Sequence, residues 1–366
     1  MLPVINNYKD LMKLNKALAQ MSLNKVTIQS VYYTKNIIKV DYKELNIDRF
    51  LYDYVTKQSF VLEGKVERLK QYDFTRLNCL VHPREFREQI ESYINNLTMM
   101  GGKEFTLWDF KIKIEPNEVV LKEYTKVRAK EVFIPYFITR IGAQAFYNYY
   151  QKLERVIIQE GSQLRTIEKG AFGWCSHLQE INLPEGLEKI EGDAFMECSL
   201  KEIIIPSTTK VIGDRAFYDV KTLITLIIKE DSQLREIGAH AFNETSIHKL
   251  YLPQFLEKIG VYAFQSCNNL KEVVIPNNVK EVGIGAFSLC HNIENLIVGE
   301  GVKKIPNFFI QDSHKLKNIK ILGDIESIGD GAFYRTSIEE VIIPKSSPIA
   351  LEGGSRRLLG VNVIKG

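Results

Sequence analysis

Between about residues 141 and 343 the apolar positions fall in one order, repeated nine times: apolar-x-x-Ile-Gly-x-x-Ala-Phe-x-x-Cys-x-x-Leu-x-x-Val-x-Ile-Pro. The clearest copies are 190–206, 259–276 and 282–298. The aromatic position falls at Phe146, Phe172, Phe195, Phe217, Phe242, Phe264, Phe287, Ile310 and Phe333, at spacings of 26, 23, 22, 25, 22, 23, 23 and 23. A fixed period of this size predicts a solenoid, in which each unit buries its apolar side on the next. The two long intervals carry one insertion each, Gly161-Ser162-Gln163-Leu164 and Asp231-Ser232-Gln233-Leu234, in the same loop.

Within a copy the pattern predicts two short strands, exemplified by 187–190 and 200–205. Glycines at Gly142, Gly213, Gly238, Gly260, Gly283 and Gly329 read as sharp corners after the first strand. The Ala-Phe pair then opens a helical or 3₁₀ turn whose Phe plugs the coil. Prolines at Pro135, Pro184, Pro206, Pro253, Pro276 and Pro344 end the second strand, since proline donates nothing to a ladder. The eighth copy, Ile305-Pro306-Asn307-Phe308-Phe309-Ile310, is degenerate and predicts a local distortion. Residues 358–363 read as a last, capping strand.

Ahead of the array, 105–114 and 119–121 alternate around Glu115-Pro116-Asn117-Glu118 and predict a hairpin covering the first coil. The first hundred residues lack the repeat. They read as helices over 8–20, 42–55 and from Pro83 to about 98, with strands at 25–32, 37–40 and 59–62. Gly101-Gly102 marks the boundary. The expected organisation is an α+β domain over 1–100, a capping hairpin over 103–126 and a β-rich, right-handed solenoid over 127–366.

Leu-x-x-Val-x-Ile-Pro followed by Ile-Gly-x-x-Ala-Phe-x-x-Cys resembles the BspA-like leucine-rich repeat family, over roughly residues 103 to 366. That family is known from surface antigens and adhesins of anaerobic bacteria and from many protist proteins. The resemblance implies a repeat fold that presents surfaces, and it transfers no catalytic residue.

The bulk numbers narrow the function classes. Residues 1–126 hold 20 Lys+Arg against 16 Asp+Glu, and 127–366 hold 28 against 29, without the basic excess of a nucleic-acid binder. No stretch reaches the roughly 18 apolar residues of a membrane span. The N-terminus lacks a basic region followed by a long apolar run, so the expected location is cytoplasmic, with a leaderless route to the surface as the alternative.

No motif for a phosphate loop, a nucleophile elbow or a zinc protease is present. Cys175, Cys198, Cys267 and Cys290 share a slot that elsewhere holds Tyr149, Val220, Thr245, Ser313 and Thr336, so they read as packing groups. Cys79 and His82 lack the second pair that a zinc site needs. His177, His240, His248, His291 and His314 are scattered. Neither metal nor cofactor is expected, and an enzyme is not the expectation. Asn96-Leu97-Thr98 and Asn243-Glu244-Thr245 fit glycosylation sequons.

One feature exceeds the fold. By strand alternation, the residue between Val and Ile of the repeat points away from the core. Those residues are Phe133, Ile157, Asn182, Ile204, Ile227, Tyr251, Val274, Ile297, Lys320 and Ile342, eight of ten apolar where water is expected. Beside them runs a polar stripe that includes Glu202 and Glu272. Stacked strands would join the apolar column into one patch. The partner-binding residues expected are therefore Phe133, Ile157, Ile204, Ile227, Tyr251, Val274, Ile297, Ile342, Glu202 and Glu272. The ligand would be a protein or a second copy of the chain. An effector or enzyme activity in residues 1–100, with the repeats as targeting arm, and a cell-surface adhesin are the alternatives.

Overall fold

A computed structural model describes residues 110–349 and 361–366, apart from 116–117, 126–128 and 148–151, together with isolated strands before residue 110 and one at Ser355–Leu358. The chain divides into two compact units, Met1–Val119 and Val120–Gly366. In the first, Ile37–Tyr42 lies between Val4–Ile5 and Ile28–Thr34 in an antiparallel sheet, and Phe60–Leu62 pairs with Lys65–Glu67. The helices expected over 8–20 and 83–98 lie outside the described residues, as do Cys79, His82 and Asn96, and so does the helix expected over 42–55 except for Tyr42, which ends the strand Ile37–Tyr42. The run 105–114 is not one strand. It forms Glu104–Leu107 and Phe110–Glu115, which pair antiparallel.

The second unit is a β-solenoid with coils of about 23 residues, and each coil has three sides. The first side is a two-residue strand. Arg140–Ile141, Thr166–Ile167, Lys189–Ile190, Val211–Ile212, Glu236–Ile237, Lys258–Ile259 and Glu281–Val282 pair in parallel, in chain order. The ladder stops there, and Lys304–Ile305 pairs only onward, with Ser327–Ile328. Proline explains the break. In neighbouring coils the next residue's N–H, for example Gly260 or Gly283, donates to the preceding coil's Ile carbonyl at 2.8 Å. Pro306 has no N–H to give.

The corner glycines serve a purpose other than the one expected. None of the six adopts positive φ. A Cβ at Gly260 would lie 2.4 Å from Ala239 N and Gly238 C, and one at Gly283 would lie 2.3 Å from Val261 N. Close approach of successive backbones, not a left-handed corner, is what excludes a side chain.

The second side is not helical; among the described residues no helix occurs. Alternate N–H groups divide between two targets. Arg215, Phe217 and Asp219 donate to Ala239, Ala241 and Asn243 one coil on, at 2.8–2.9 Å, whereas Ala216 and Tyr218 donate three residues back. A helix would spend every N–H within its own chain segment. Two left-handed residues per coil, such as Arg215 and Asp219 at φ +56°, make the alternation possible. The result is a ladder of stacked turns.

The third side carries the longer strands, and here the ladder falls into groups. Glu131–Ile134, Arg155–Ile158 and Glu180–Ile181 form one; Glu202–Ile205 and Thr225–Ile228 a second; Glu272–Ile275, Asn295–Val298 and Asn318–Ile321 a third. Glu340–Ile343 pairs with Val361–Lys365, which Ser355–Leu358 covers antiparallel. Each interruption coincides with a one-residue deletion. Most coils have two residues between the Cys slot and the following Leu or Ile. Cys198-Ser199-Leu200, Thr245-Ser246-Ile247 and Thr336-Ser337-Ile338 have one. The shortened loop delivers the strand out of register with its predecessor. In every case the single residue is a serine whose hydroxyl donates to a carbonyl of the preceding coil: Ser199 to Ser176 (2.6 Å), Ser246 to Lys221 (2.7 Å) and Ser337 to His314.

The core runs between these sides. Phe146, Phe172, Phe195, Phe217, Phe242, Phe264 and Phe287 are fully buried and stack with centroids 4.6–5.4 Å apart and planes within 16°. In the eighth coil Ile310 takes the Phe place and Phe309 the Ala place, with the Phe309 ring edge-on to Phe287 at 6.0 Å and 85°. That is where the degenerate copy disturbs the column.

Candidate interaction face

Strand alternation decides which residues of the third side meet water. In Glu202–Ile205, Thr225–Ile228, Glu272–Ile275 and Glu340–Ile343 the second and fourth residues are buried. Between them Ile204, Ile227, Val274 and Ile342 are 44%, 40%, 53% and 52% exposed. Parallel pairing sets Ile204 opposite Ile227, Phe133 opposite Ile157, and Val274, Ile297 and Lys320 in one row. Phe133, Ile157 and Ile297 are half-buried. The strands that carry the expected column fall into separate ladders, because the one-residue deletions interrupt their pairing. Tyr251 is exposed but belongs to no strand: its coil carries the Ser246 deletion, and Leu250 beside it is only half-buried.

The flanking polar stripe is internally satisfied over much of its length. The Arg155 guanidinium bonds Glu180 at 2.7 Å and Glu131 at 3.4 Å, which raises its pKa, the Glu180 hydrogen bond contributing most. Farther on, Asn318 Nδ2 donates to Asn295 Oδ1 and Asn295 Nδ2 to Glu272 Oε1. Glu202 is exposed at the edge of the Ile204–Ile227 patch. Asn182 interrupts the row with a purpose: its amide both donates to and accepts from the Ile158 backbone, at 2.8 and 2.7 Å. It stands in for strand pairing that ends at Ile181.

The short-strand side is quite different, being charged and paired from coil to coil. Glu188 takes Lys210 at 2.8 Å and Arg165 at 3.0 Å, and its carboxyl is held below the usual value, by Lys210 first. Arg235–Glu257 and Lys258–Glu236 continue the pattern. Such exposed pairs contribute little individually.

The cysteine slot is a packing slot. Cys175, Cys198, Cys267 and Cys290 are free, buried thiols directed at Phe146, Phe172, Phe242 and Phe264 carbonyls of the preceding stack. Burial pushes Cys175 and Cys267 up to about 12, and Cys198 and Cys290 well above the ordinary thiol value. The sequon at Asn243 is unsuited to glycosylation in the folded chain, because Asn243 is buried and its Nδ2 is bonded to Gln265. His291 and His314 stack at 5.3 Å, each with Nδ1 bonded to a carbonyl of the next coil, at Asp312 and Arg335. Among the described residues no cluster of His, Cys, Asp and Glu could hold a metal, and no helix is long and apolar enough to cross a membrane.

Comparison with known proteins places this geometry. A family model described as a BspA type leucine rich repeat region matches in six copies, over residues 107–224 and 235–350. Similar solved structures include a leucine rich cell surface protein from Faecalibacterium prausnitzii A2-165, with 20% identity, 72% of this chain and 95% of that chain covered, and a TM-score of 0.44. The pneumococcal vaccine antigen PcpA shows 23% identity, 67% and 76% coverage and a TM-score of 0.47. The T. pallidum leucine rich repeat protein shows 25% identity, 64% and 91% coverage and a TM-score of 0.33. No curated protein matches this chain.

Proposed function

This chain belongs to the BspA-type leucine-rich repeat family, and from that premise we propose that it is a recognition scaffold, engaging a protein partner through the outer face of its longer strands. The observation that carries the reading is the exposure of Ile204, Ile227, Val274 and Ile342 at one repeat position, on strands whose neighbouring residues are buried. β-Propensity favours Ile and Val anywhere in a strand. It does not favour them over Thr at a position facing water. Glu202 and Glu272 would steer a basic partner more than they hold it.

Family membership also favours a second reading, a cell-surface adhesin, and makes the surface rather than the cytoplasm our proposed location. An activity in residues 1–100 would be an addition to either. The test is the double variant Ile227→Lys with Val274→Lys. Both sites are exposed, so the unfolding midpoint should stay within a few degrees of the parent, while partner capture or concentration-dependent self-association in sedimentation is lost. A folded variant that binds and assembles like the parent refutes the reading. For location, brief protease treatment of intact cells should remove the protein before any cytosolic marker.

A further inference from the structure

The turn ladder carries a strip of aromatic residues outside the Phe core, within which the Tyr262 ring lies 5.1 Å from that of His240. The residue before Ala in each coil is left-handed: Gln144, Gly170, Asp193, Arg215, His240, Tyr262, Gly285, Phe308 and Gly331, with φ between 53° and 63°. Glycine suits this position at three of the nine coils, and a bulky side chain is penalised there. Yet Tyr262 and Phe308 hold it, and neither plugs the core; Phe308 is 41% exposed. Each ring leans over the glycine of the next coil. A Cβ at Gly285 would lie 2.2 Å from Tyr262 Cε1, and one at Gly331 would lie 2.8 Å from Phe308 Cδ1. Val261 and Ile284, one position earlier in successive coils, are exposed beside them. Strained backbone combined with exposed aromatic surface is a cost that a ligand can repay.

We propose that Val261, Tyr262, Ile284 and Phe308 form a docking strip for a proline-rich segment in the polyproline II conformation. Tyr262 and Phe308 sit two coils apart, about 9.6 Å at strand spacing. A polyproline II helix presents the same face every three residues, about 9.3 Å. Aromatic surfaces recognise such segments through the preformed, low-entropy prolyl face. Charge sets the direction. Toward the N-terminus the row continues into His240 and Arg215, and Arg215 is already paired with Asp193. At the other end Asp330 is exposed and makes no ion pair among the described residues. It is suited to an arginine that follows the proline run.

The test is fluorescence anisotropy of the full chain with fluorescein-labelled decaproline ending in arginine. The parent should bind saturably. Tyr262→Gly with Phe308→Gly relieves the left-handed backbone while giving up the Tyr262–His240 contact, so it should unfold within a few degrees of the parent midpoint while binding at least tenfold more weakly. Asp330→Asn should weaken the arginine peptide and leave arginine-free decaproline unchanged. The Ile227→Lys, Val274→Lys variant should bind the peptide like the parent, which separates this strip from the long-strand face. Absence of saturable binding, equal binding by the glycine variant, equal binding of a glycine-serine peptide ending in arginine, or competition by an oligosaccharide overturns the proposal.

Discussion

At the scale of single residues, the fold rests on side chains whose neighbours are the same residue one coil away. Phe217 lies 5.2 Å from Phe195 and 5.1 Å from Phe242 with nearly parallel rings. Truncation opens a gap lined by two rigid rings, so Phe217→Ala should cost about 3–5 kcal/mol, read as a lowered urea midpoint. An unchanged midpoint would remove the stack as a source of stability. The thiols give a pH prediction. Their folded pKa values lie above the ordinary value of 9.0, reaching about 12 at Cys267. The folded protein therefore keeps protons that the unfolded chain releases. The stability that thiol burial contributes is complete below pH 9 and is lost as pH climbs toward 12. Other groups titrate in that window, so the informative quantity is a difference. Cys267→Thr with Cys290→Val, residues the slot already accepts at Thr245 and Val220, should lose less stability than the parent between pH 8 and 10.5. Equal losses would show that the thiols are not the source.

At the scale of elements, the repeat period, the Phe plugs, the cysteine slot and the outward exposure of Ile204, Ile227, Val274 and Ile342 were all legible, because each is a periodic position and periodicity survives stacking. What the pattern did not disclose depended on hydrogen bonds between coils. An Ala-Phe turn followed by polar residues reads as a helix start, but here every second N–H is spent on the neighbouring coil, which no single coil announces. The glycine column was visible and its cause was not, since the clash it avoids is with another coil's backbone. The ladder interruptions had a signal in plain sight: the 22-residue spacings after Phe195 and Phe242 mark the coils in which one serine replaces two loop residues. Restoring the length tests this. Inserting Asn between Ser199 and Leu200 should join Glu202–Ile205 to Glu180–Ile181 and slow exchange of the Ile203 and Ile205 amides. Unaltered exchange would mean that the deletion does not set the break.

At the scale of the whole repeat array, the three sides fail in different places. The long-strand ladder is interrupted at the Ser199, Ser246 and Ser337 coils, and the short-strand ladder at Pro306. The turn ladder has no such gap: Phe146, Phe172, Phe195, Phe217, Phe242, Phe264, Phe287 and Ile310 each donate their N–H to the next coil at 2.8–3.0 Å. A solenoid is held together by nearest-neighbour interfaces, so its cooperativity is set by the weakest of them. Because no coil loses its turn ladder, a break on another side need not become a point of separate unfolding. Native-state hydrogen exchange resolves the three sides directly. The Phe195, Phe217, Phe242 and Phe264 amides should be the slowest in the array and mutually similar, since they open only with the whole. The Tyr251 and Leu252 amides, in the coil without a long strand, should exchange by local opening with little dependence on denaturant. A sharp fall in protection at Phe242, between the second and third strand groups, would show that the array unfolds in sections and that the turn ladder does not carry the coupling assigned to it.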